Sequence, residues 1–247
     1  ILTWRPMTDN DRGCSHGFER SVWFGAGRYA KVTSVETSRT EDGIRADYAY
    51  RLADPRHTRV TASYQVDSRL RVHLTLTFDG DEENHPGQEE PTIPAFGLEW
   101  TLPSAYRHLR FYGLGPDETY RDRCHGGRLG IYQTDAEKDF APYILPQETG
   151  NHEGVRWLEA RDGNGRGLRV SSSAFPFSAS LLPYSSLEIE NATHREDLPS
   201  GSGHVFLRTL AAQMGVGGDD SWMSPVHDQY QLDSRRRLVL DLVIETI

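Results

Sequence analysis

Four loop segments concentrate the side chains able to do chemistry. The most informative is Gly215-Val216-Gly217-Gly218-Asp219-Asp220-Ser221-Trp222. Its three glycines admit backbone conformations closed to residues with a Cβ. Asp219, Asp220 and Ser221 carry short polar side chains that bond back to nearby amides and fix a loop. The loop ends in Trp222, a flat ring with one N–H donor and a suitable platform for the apolar face of a sugar. The competing role for that ring is a plug in the core at a loop end, because Trp is well buried on average.

Carboxylates mark the other three segments. In Arg5 to Gly13, Asp9 and Asp11 flank Asn10. Such alternating oxygen donors resemble part of a calcium loop, but Gly13 comes too early for an EF-hand and no Glu closes the loop. The structural alternative has the two carboxylates pinning backbone amides and pairing with Arg5 or Arg12. Glu118, in Phe111 to Arg123, and Glu148, in Pro142 to Asn151, each lie among aromatics and prolines. Such surroundings raise a carboxyl pKa and suit acid/base chemistry. The alternative for each is an ion pair with an arginine close in sequence, such as Arg121, Arg123 or Arg156. A retaining glycosidase needs two carboxylates about 5 Å apart; spacing along the chain does not show which pair meets.

Other chemistries lack their signatures. The glycines at 13–17 and 25–27 are too sparse for a phosphate or dinucleotide loop, and no nucleophile elbow is present. The ten histidines are scattered, and none forms a ligand pair at helical spacing. Cys14 and Cys124 fit no metal motif; free thiols are expected, with a single bridge as the alternative.

The elements that must position these loops read as strands. Leu70, Val72, Leu74, Leu76 and Phe78 alternate with Arg71, His73, Thr75 and Thr77, the pattern of a half-buried antiparallel strand. Val60, Ala62, Tyr64 and Val66 repeat it upstream, and the break at Asp67-Ser68-Arg69 predicts a hairpin between the two. Ile44 to Leu52, Leu109 to Tyr112, Leu168 to Ser172, Val205 to Leu210 and Leu238 to Ile247 read as further strands. No segment carries a helical apolar stripe of three turns, while 23 glycines and 13 prolines punctuate the chain. Many strands with frequent turns point to an all-β sandwich or barrel. The acidic run from Asp79 to Glu90 is expected to be a solvated connector within one domain spanning 1–247, because similar strand patterns flank it.

The charge balance narrows the partners. With 27 Lys+Arg against 36 Asp+Glu the net charge is -9, which argues against nucleic acid or an anionic membrane as partner. No apolar run approaches the roughly 20 residues of a membrane helix. Ile1-Leu2-Thr3-Trp4 has neither the basic start nor the apolar stretch of a signal peptide, so a cytoplasmic location is expected. The missing initiator Met suggests a piece of a longer chain, truncated at its N-terminus.

Several motifs recur in one order along the chain. They begin with Thr8-Asp9-Asn10-Asp11, Tyr112-Gly113-x-Gly115-Pro116-x-Glu118-x-Tyr120-x-Asp122-Arg123 and Pro142-Tyr143-x-x-Pro146-Gln147-Glu148-x-Gly150-Asn151. Arg156-Trp157-Leu158, Leu182-Pro183-Tyr184 and Leu187-Glu188 follow, then Met214 to Trp222 and Pro225-Val226-His227. Together they resemble the C-terminal domain of bacterial β-galactosidases of glycoside hydrolase family 2, which lies in the small chain of two-subunit forms. The resemblance implies a β-supersandwich of two large antiparallel sheets, the fold of galactose mutarotases. It implies no catalytic residue in this chain: both catalytic Glu residues, with the Mg2+ and Na+ sites, belong to a separate (β/α)8 barrel that cleaves terminal β-D-galactosyl bonds, as in lactose, with retention. Trp222 would lie under the substrate sugar, supported by Gly218, Asp219, Asp220 and Ser221. The segment from Gly13 through His16 and Gly17 resembles a mobile loop that closes over the site, while Asp9, Asn10, Asp11, Glu118 and Glu148 would be structural. The implied partners are the remaining domains or large chain of an oligomeric enzyme, and a galactoside. Arg12 and Thr149 depart from the family pattern, where an apolar residue and Asn are usual. The alternatives are a stand-alone aldose 1-epimerase of the same fold, pairing Glu118 or Glu148 with His152, His194 or His227, and a carbohydrate-binding module.

Overall fold

The computed structural model describes residues 1–80, 92–172, 174–220 and 223–247. Most of the acidic connector from Asp79 to Glu90 lies outside them, as do Ser221 and Trp222. Among the described residues thirteen strands appear in chain order. They are β1 (Lys31–Thr40), β2 (Gly43–Arg51), β3 (Arg59–Asp67), β4 (Val72–Phe78), β5 (Ala95–Pro103), β6 (His108–Gly115) and β7 (Arg128–Asp135), then β8 (His152–Val155), β9 (Trp157–Arg161), β10 (Gly167–Ser171), β11 (Phe177–Leu182), β12 (His204–Gln213) and β13 (Leu238–Thr246). Five short α-helices accompany them among the described residues: α1 (Asp9–Gly13), α2 (His16–Glu19), α3 (Val22–Ala26), α4 (Ala136–Asp139) and α5 (Ser186–Asn191).

The strands form two antiparallel sheets. One has nine strands in the order β1-β2-β3-β4-β13-β10-β9-β6-β7; the other has four, β5-β12-β11-β8. Period-two alternation builds the centre of the large sheet. Ala62 on β3, Leu76 on β4 and Leu240 on β13 sit side by side in register, all buried. Each large aliphatic side chain withdrawn from water there contributes roughly 1.5–3 kcal/mol. The sheets share one core: β13 lies against β12, and Phe78 on β4 meets Phe96 on β5 edge-on, ring centres 5.3 Å apart. All six residues of β11 are buried. A second cluster of Phe140, Leu182, Ile189, Ala192 and Leu198 joins β11 to α5. The fold is an all-β sandwich. Among the described residues no helix is long and apolar enough to cross a membrane.

One expected core position is corrected. Leu70 is not on the inner face; it is 80% exposed, with φ of 62°, in the turn before β4. The Asp67 carboxylate dictates that turn by accepting bonds from the amides of Arg69 (2.9 Å) and Arg71 (3.0 Å). The hairpin between β3 and β4 is present, and β4 begins two residues after Leu70.

Candidate functional site

The four loop segments meet. The first starts at the margin of the small sheet, where Leu2 and Gly97 of β5 exchange backbone bonds at 2.8 and 3.0 Å. It turns into α1 through a capping box: the Thr8 hydroxyl accepts from the Asp11 amide at 3.1 Å, and Asp11 Oδ2 accepts from the Thr8 amide at 3.0 Å. Arg5 and Asn10 then reach the glycine loop, donating to the carbonyls of Gly215 (2.7 Å) and Gly217 (2.9 Å). The Gln147 side chain clasps Asp9 twice, accepting from its amide at 2.9 Å and donating to Oδ2 at 3.0 Å. Glu118 Oε2 accepts from the Gly150 amide at 2.7 Å. Asp122 closes the ring by accepting from the amides of Val216 (2.9 Å) and Gly217 (2.7 Å). The glycines permit this closeness. A Cβ on Gly215 would stand 2.5 Å from the Asp122 carboxyl carbon, and one on Gly218 would stand 2.2 Å from the Ser224 carbonyl oxygen.

The ring surrounds an open cleft of about 330 Å³. Thr8 and Asn10 line it from the first loop, Glu118, Tyr120 and Arg123 from the second, Tyr143, Gln147 and Glu148 from the third, and Gly217, Gly218 and Asp220 from the fourth. Beneath it lies a buried polar network. Arg208 of β12 grips Glu148 with two bonds, Nη1 to Oε2 at 2.6 Å and Nη2 to Oε1 at 3.0 Å. Gln213 adds a third donor to Glu148 at 3.0 Å, and Ser180 accepts from Arg208 Nε at 2.6 Å. Burial acts to lower the Arg208 pKa, but Glu148 beside it holds that pKa above the usual guanidinium value. The Tyr120 hydroxyl sits between Glu148 (3.4 Å) and Glu118 (3.5 Å). Burial first, then these two carboxylates, push its phenol well above the ordinary 10. Arg123 pairs with Glu118 and stacks over the Tyr120 ring, 5.4 Å from its centre.

The expected partners of the carboxylates divide. Glu118 pairs with Arg123, close in sequence. Glu148 does not pair with Arg121, Arg123 or Arg156; its cation is Arg208, 60 residues away. Arg156 instead lies over the Tyr112 ring, and Arg121 donates to the Gln231 carbonyl at 3.4 Å. The available signal for Arg208 is a charge in the middle of the apolar run Val205 to Leu210. In the first loop Asp11 pairs with Arg5 at 3.2 Å, and Asp9 lies 3.9 Å from Arg12. Both carboxylates are thereby engaged, Asp11 also in the capping box and Asp9 also on Gln147. Among the described residues Cys14 and Cys124 form no disulfide.

The remaining candidates sit as follows. Trp222 and Ser221 fall outside the described residues, but their flanks are placed. Asp220 accepts from the Met223 and Ser224 amides at 3.0 and 3.2 Å, and Asp219 bonds His227 at 2.9 Å. Gly13 ends α1, and His16 and Gly17 open α2. None of the three histidines considered for an epimerase lines the cleft. His152 is buried against Asp139 at 3.0 Å and the Phe111 ring, His194 bonds Thr193 on the surface, and His227 faces a neighbouring hollow. Chemically, the cleft offers a neutral, hydroxyl-bearing ligand aromatic edges and hydrogen-bonding groups. The three carboxylates lining it, Glu118, Glu148 and Asp220, already hold cations or amides.

Known proteins match this chain over nearly its whole length. The family model described as β-galactosidase small chain matches residues 1–244. The chain is 52% identical to the β-galactosidase BgaC of Bifidobacterium adolescentis, over 99% of this chain and 23% of that protein. It is 40% identical to a β-galactosidase of Streptococcus thermophilus, over 98% of this chain and again 23% of the relative. It is 30% identical to the β-galactosidase small subunit of Latilactobacillus sakei, over 94% of this chain and 79% of that subunit. The chain thus spans about a quarter of the long relatives and most of the small subunit. It belongs to the β-galactosidase small-chain family.

Proposed function

We propose that this chain forms one wall of the galactoside site of a retaining β-galactosidase, and that bond cleavage takes place on residues outside it. One observation carries the reading: four loops far apart in sequence close on a single cleft whose carboxylates are all engaged in pairs or loop bonds. A glycosidase acid must carry a proton, and a nucleophilic carboxylate must be free to attack the sugar. Glu148 bound by Arg208, and Glu118 bound by Arg123 and the Gly150 amide, are suited to neither role and well suited to holding loops. In this reading Trp222, carried by the loop of Gly218, Asp219, Asp220 and Ser221, is the platform under the sugar. The segment from Gly13 to Gly17 closes over it, and Mg2+ and Na+ belong to the barrel. The coverage of a quarter of the long relatives, and of most of a small subunit, supports a partner domain or chain that completes the site.

The deciding measurement is hydrolysis of a chromogenic β-galactoside by the purified chain, alone and mixed with a barrel-containing large fragment of a related enzyme. The expected result is no turnover alone and recovered turnover in the mixture. Turnover by the chain alone would overturn the proposal, since it would require a working carboxylate pair within these residues.

A further inference from the structure

The two sheets differ in breadth, nine strands against four. β5 is one margin of the small sheet, and its Phe96 meets Phe78 of β4. Three strands of the large sheet, β3, β2 and β1, lie beyond that line. α3 covers one end of them. Trp23 packs on Phe78 and the Ala26 carbonyl accepts from the Ala53 amide at 3.0 Å, and Val60 and Leu52 are buried there. Toward the other end the inner face is apolar and open. In one cross-strand row Leu240, Leu76 and Ala62 are buried, Tyr48 is half-buried and Val35 is 52% exposed. Further along the same face Val66 and Ile44 pair side by side, 39% and 61% exposed. The rings of Tyr50 and Tyr64 flank Tyr48, with centres 6.1 and 5.9 Å away. Single exposed apolar residues are ordinary on a protein surface; a contiguous sheet face of them marks an interaction surface.

β5 also has an open edge. Gly97 exchanges both its backbone bonds with Leu2 on that side. Alternate residues of a strand turn their backbone groups the same way, so Glu99 and Thr101 face that side too. Neither has a backbone partner beyond β12 among the described residues. An unpaired row of amides and carbonyls is a template for one more strand. A strand added there, with others beside it at a spacing of about 4.8 Å, would lie opposite β3, then β2 and β1. One addition thus satisfies the edge and covers the apolar face. Pairing of two copies through β1 would extend the large sheet and leave its inner face bare. About three-quarters of the long relatives lies outside the region this chain matches, ample length for such strands.

We propose that strands from the rest of the enzyme dock on the open edge of β5 and cover the inner face of β1, β2 and β3. The incoming segment is extended, pairs with the backbone of Glu99 and Thr101, and turns apolar side chains toward Val35, Ile44, Tyr48 and Val66. The choice of partner rests on the reading above, but none of these residues lines the cleft. Docking at this edge also holds Leu2, whose segment runs on through Arg5 to Asn10 at the cleft.

The test is hydrogen–deuterium exchange on this chain, alone and mixed with a large fragment of the BgaC relative that contains everything outside the matched region. In the mixture, amides of β1, β2 and β5 are expected to exchange at least about tenfold more slowly. Val35→Lys with Ile44→Lys should weaken association by about tenfold or more and leave the unfolding temperature of the free chain unchanged, because both side chains are exposed there. If that variant does not fold, the exchange of the wild-type chain decides. Association without protection of these strands, no association, or protection already present in a dimer of the chain alone would each overturn the inference. Recovered galactoside turnover with β2 and β5 unprotected would overturn it and leave the wall reading standing. Protection without turnover would support it and overturn the wall reading.

Discussion

Arg208 and Glu148 form a bidentate ion pair at 2.6 and 3.0 Å with both side chains almost wholly buried, 2% and 0% exposed. The pair ties the middle of β12 to the loop Pro142 to Asn151 and so sets the floor of the cleft. Removing one partner strands a buried charge, which costs about 3–5 kcal/mol. Arg208→Met is expected to lower stability by that order in a denaturant titration. Arg208→Met combined with Glu148→Gln should recover part of the loss, because no charge then stays unpaired. A double variant as unstable as the sum of the singles would show that the residues act independently.

Asp122 and Gly215 are a matched set. The carboxylate reaches the Val216 and Gly217 amides only because position 215 has no side chain. Gly215→Ala is expected to cost about 1–3 kcal/mol through overpacking. In the assembled enzyme it should raise KM for a galactoside more than it lowers kcat if, as proposed, the loop is a binding wall. An alanine variant with wild-type KM and wild-type unfolding temperature would remove Asp122 from the positioning of the loop.

The turn between β3 and β4 supplies a pH dependence. Burial of the Asp67 carboxyl works to raise its pKa, but the Arg71 amide, His73, the Arg71 side chain and the Arg69 amide together hold it well below the usual carboxylate range. A depressed carboxylate contributes stability that is fully present above its unfolded pKa, about 3.9, and is lost as pH falls toward the folded value. Asp67→Asn is therefore expected to lower the unfolding temperature at pH 7 and to make its decline below about pH 4 shallower. Parallel wild-type and variant curves across that range would rule the turn out as an acid-sensitive element.

Much of this arrangement is legible before any coordinates, for physical reasons. β3, β4 and β13 each have one wet face, so alternation exposes them. β11, Phe177-Ser178-Ala179-Ser180-Leu181-Leu182, is covered on both faces and shows no such rhythm. β1 is exposed almost throughout and among the described residues pairs only with β2, so its sequence carries no burial pattern. Leu70 misleads because it continues the period of β4, while the Asp67 carboxylate, a local effect, pulls it into a turn. The four loops that line the cleft stand out by their glycines, prolines and carboxylates. Their meeting depends on strand register, which joins Glu148 to Arg208 and Asp122 to Val216 across 60 and 94 residues.

The role of Trp222 separates two readings of the glycine loop. A ring stacked on a sugar contributes binding of about 1–3 kcal/mol, as aromatic platforms for flat ligands do; a ring that plugs the core contributes about 3–5 kcal/mol of stability. The neighbouring Asp220 holds the amides of Met223 and Ser224, so the loop keeps its own anchors when the indole is removed. In the assembled enzyme Trp222→Ala is expected to raise KM for a galactoside by roughly 5- to 150-fold, the kinetic equivalent of that binding. The unfolding temperature should stay within a degree or two of wild type. A lost thermal transition with unchanged KM would make Trp222 a core residue and move the proposed sugar platform elsewhere in the cleft, with Tyr143, which also lines it, as a candidate.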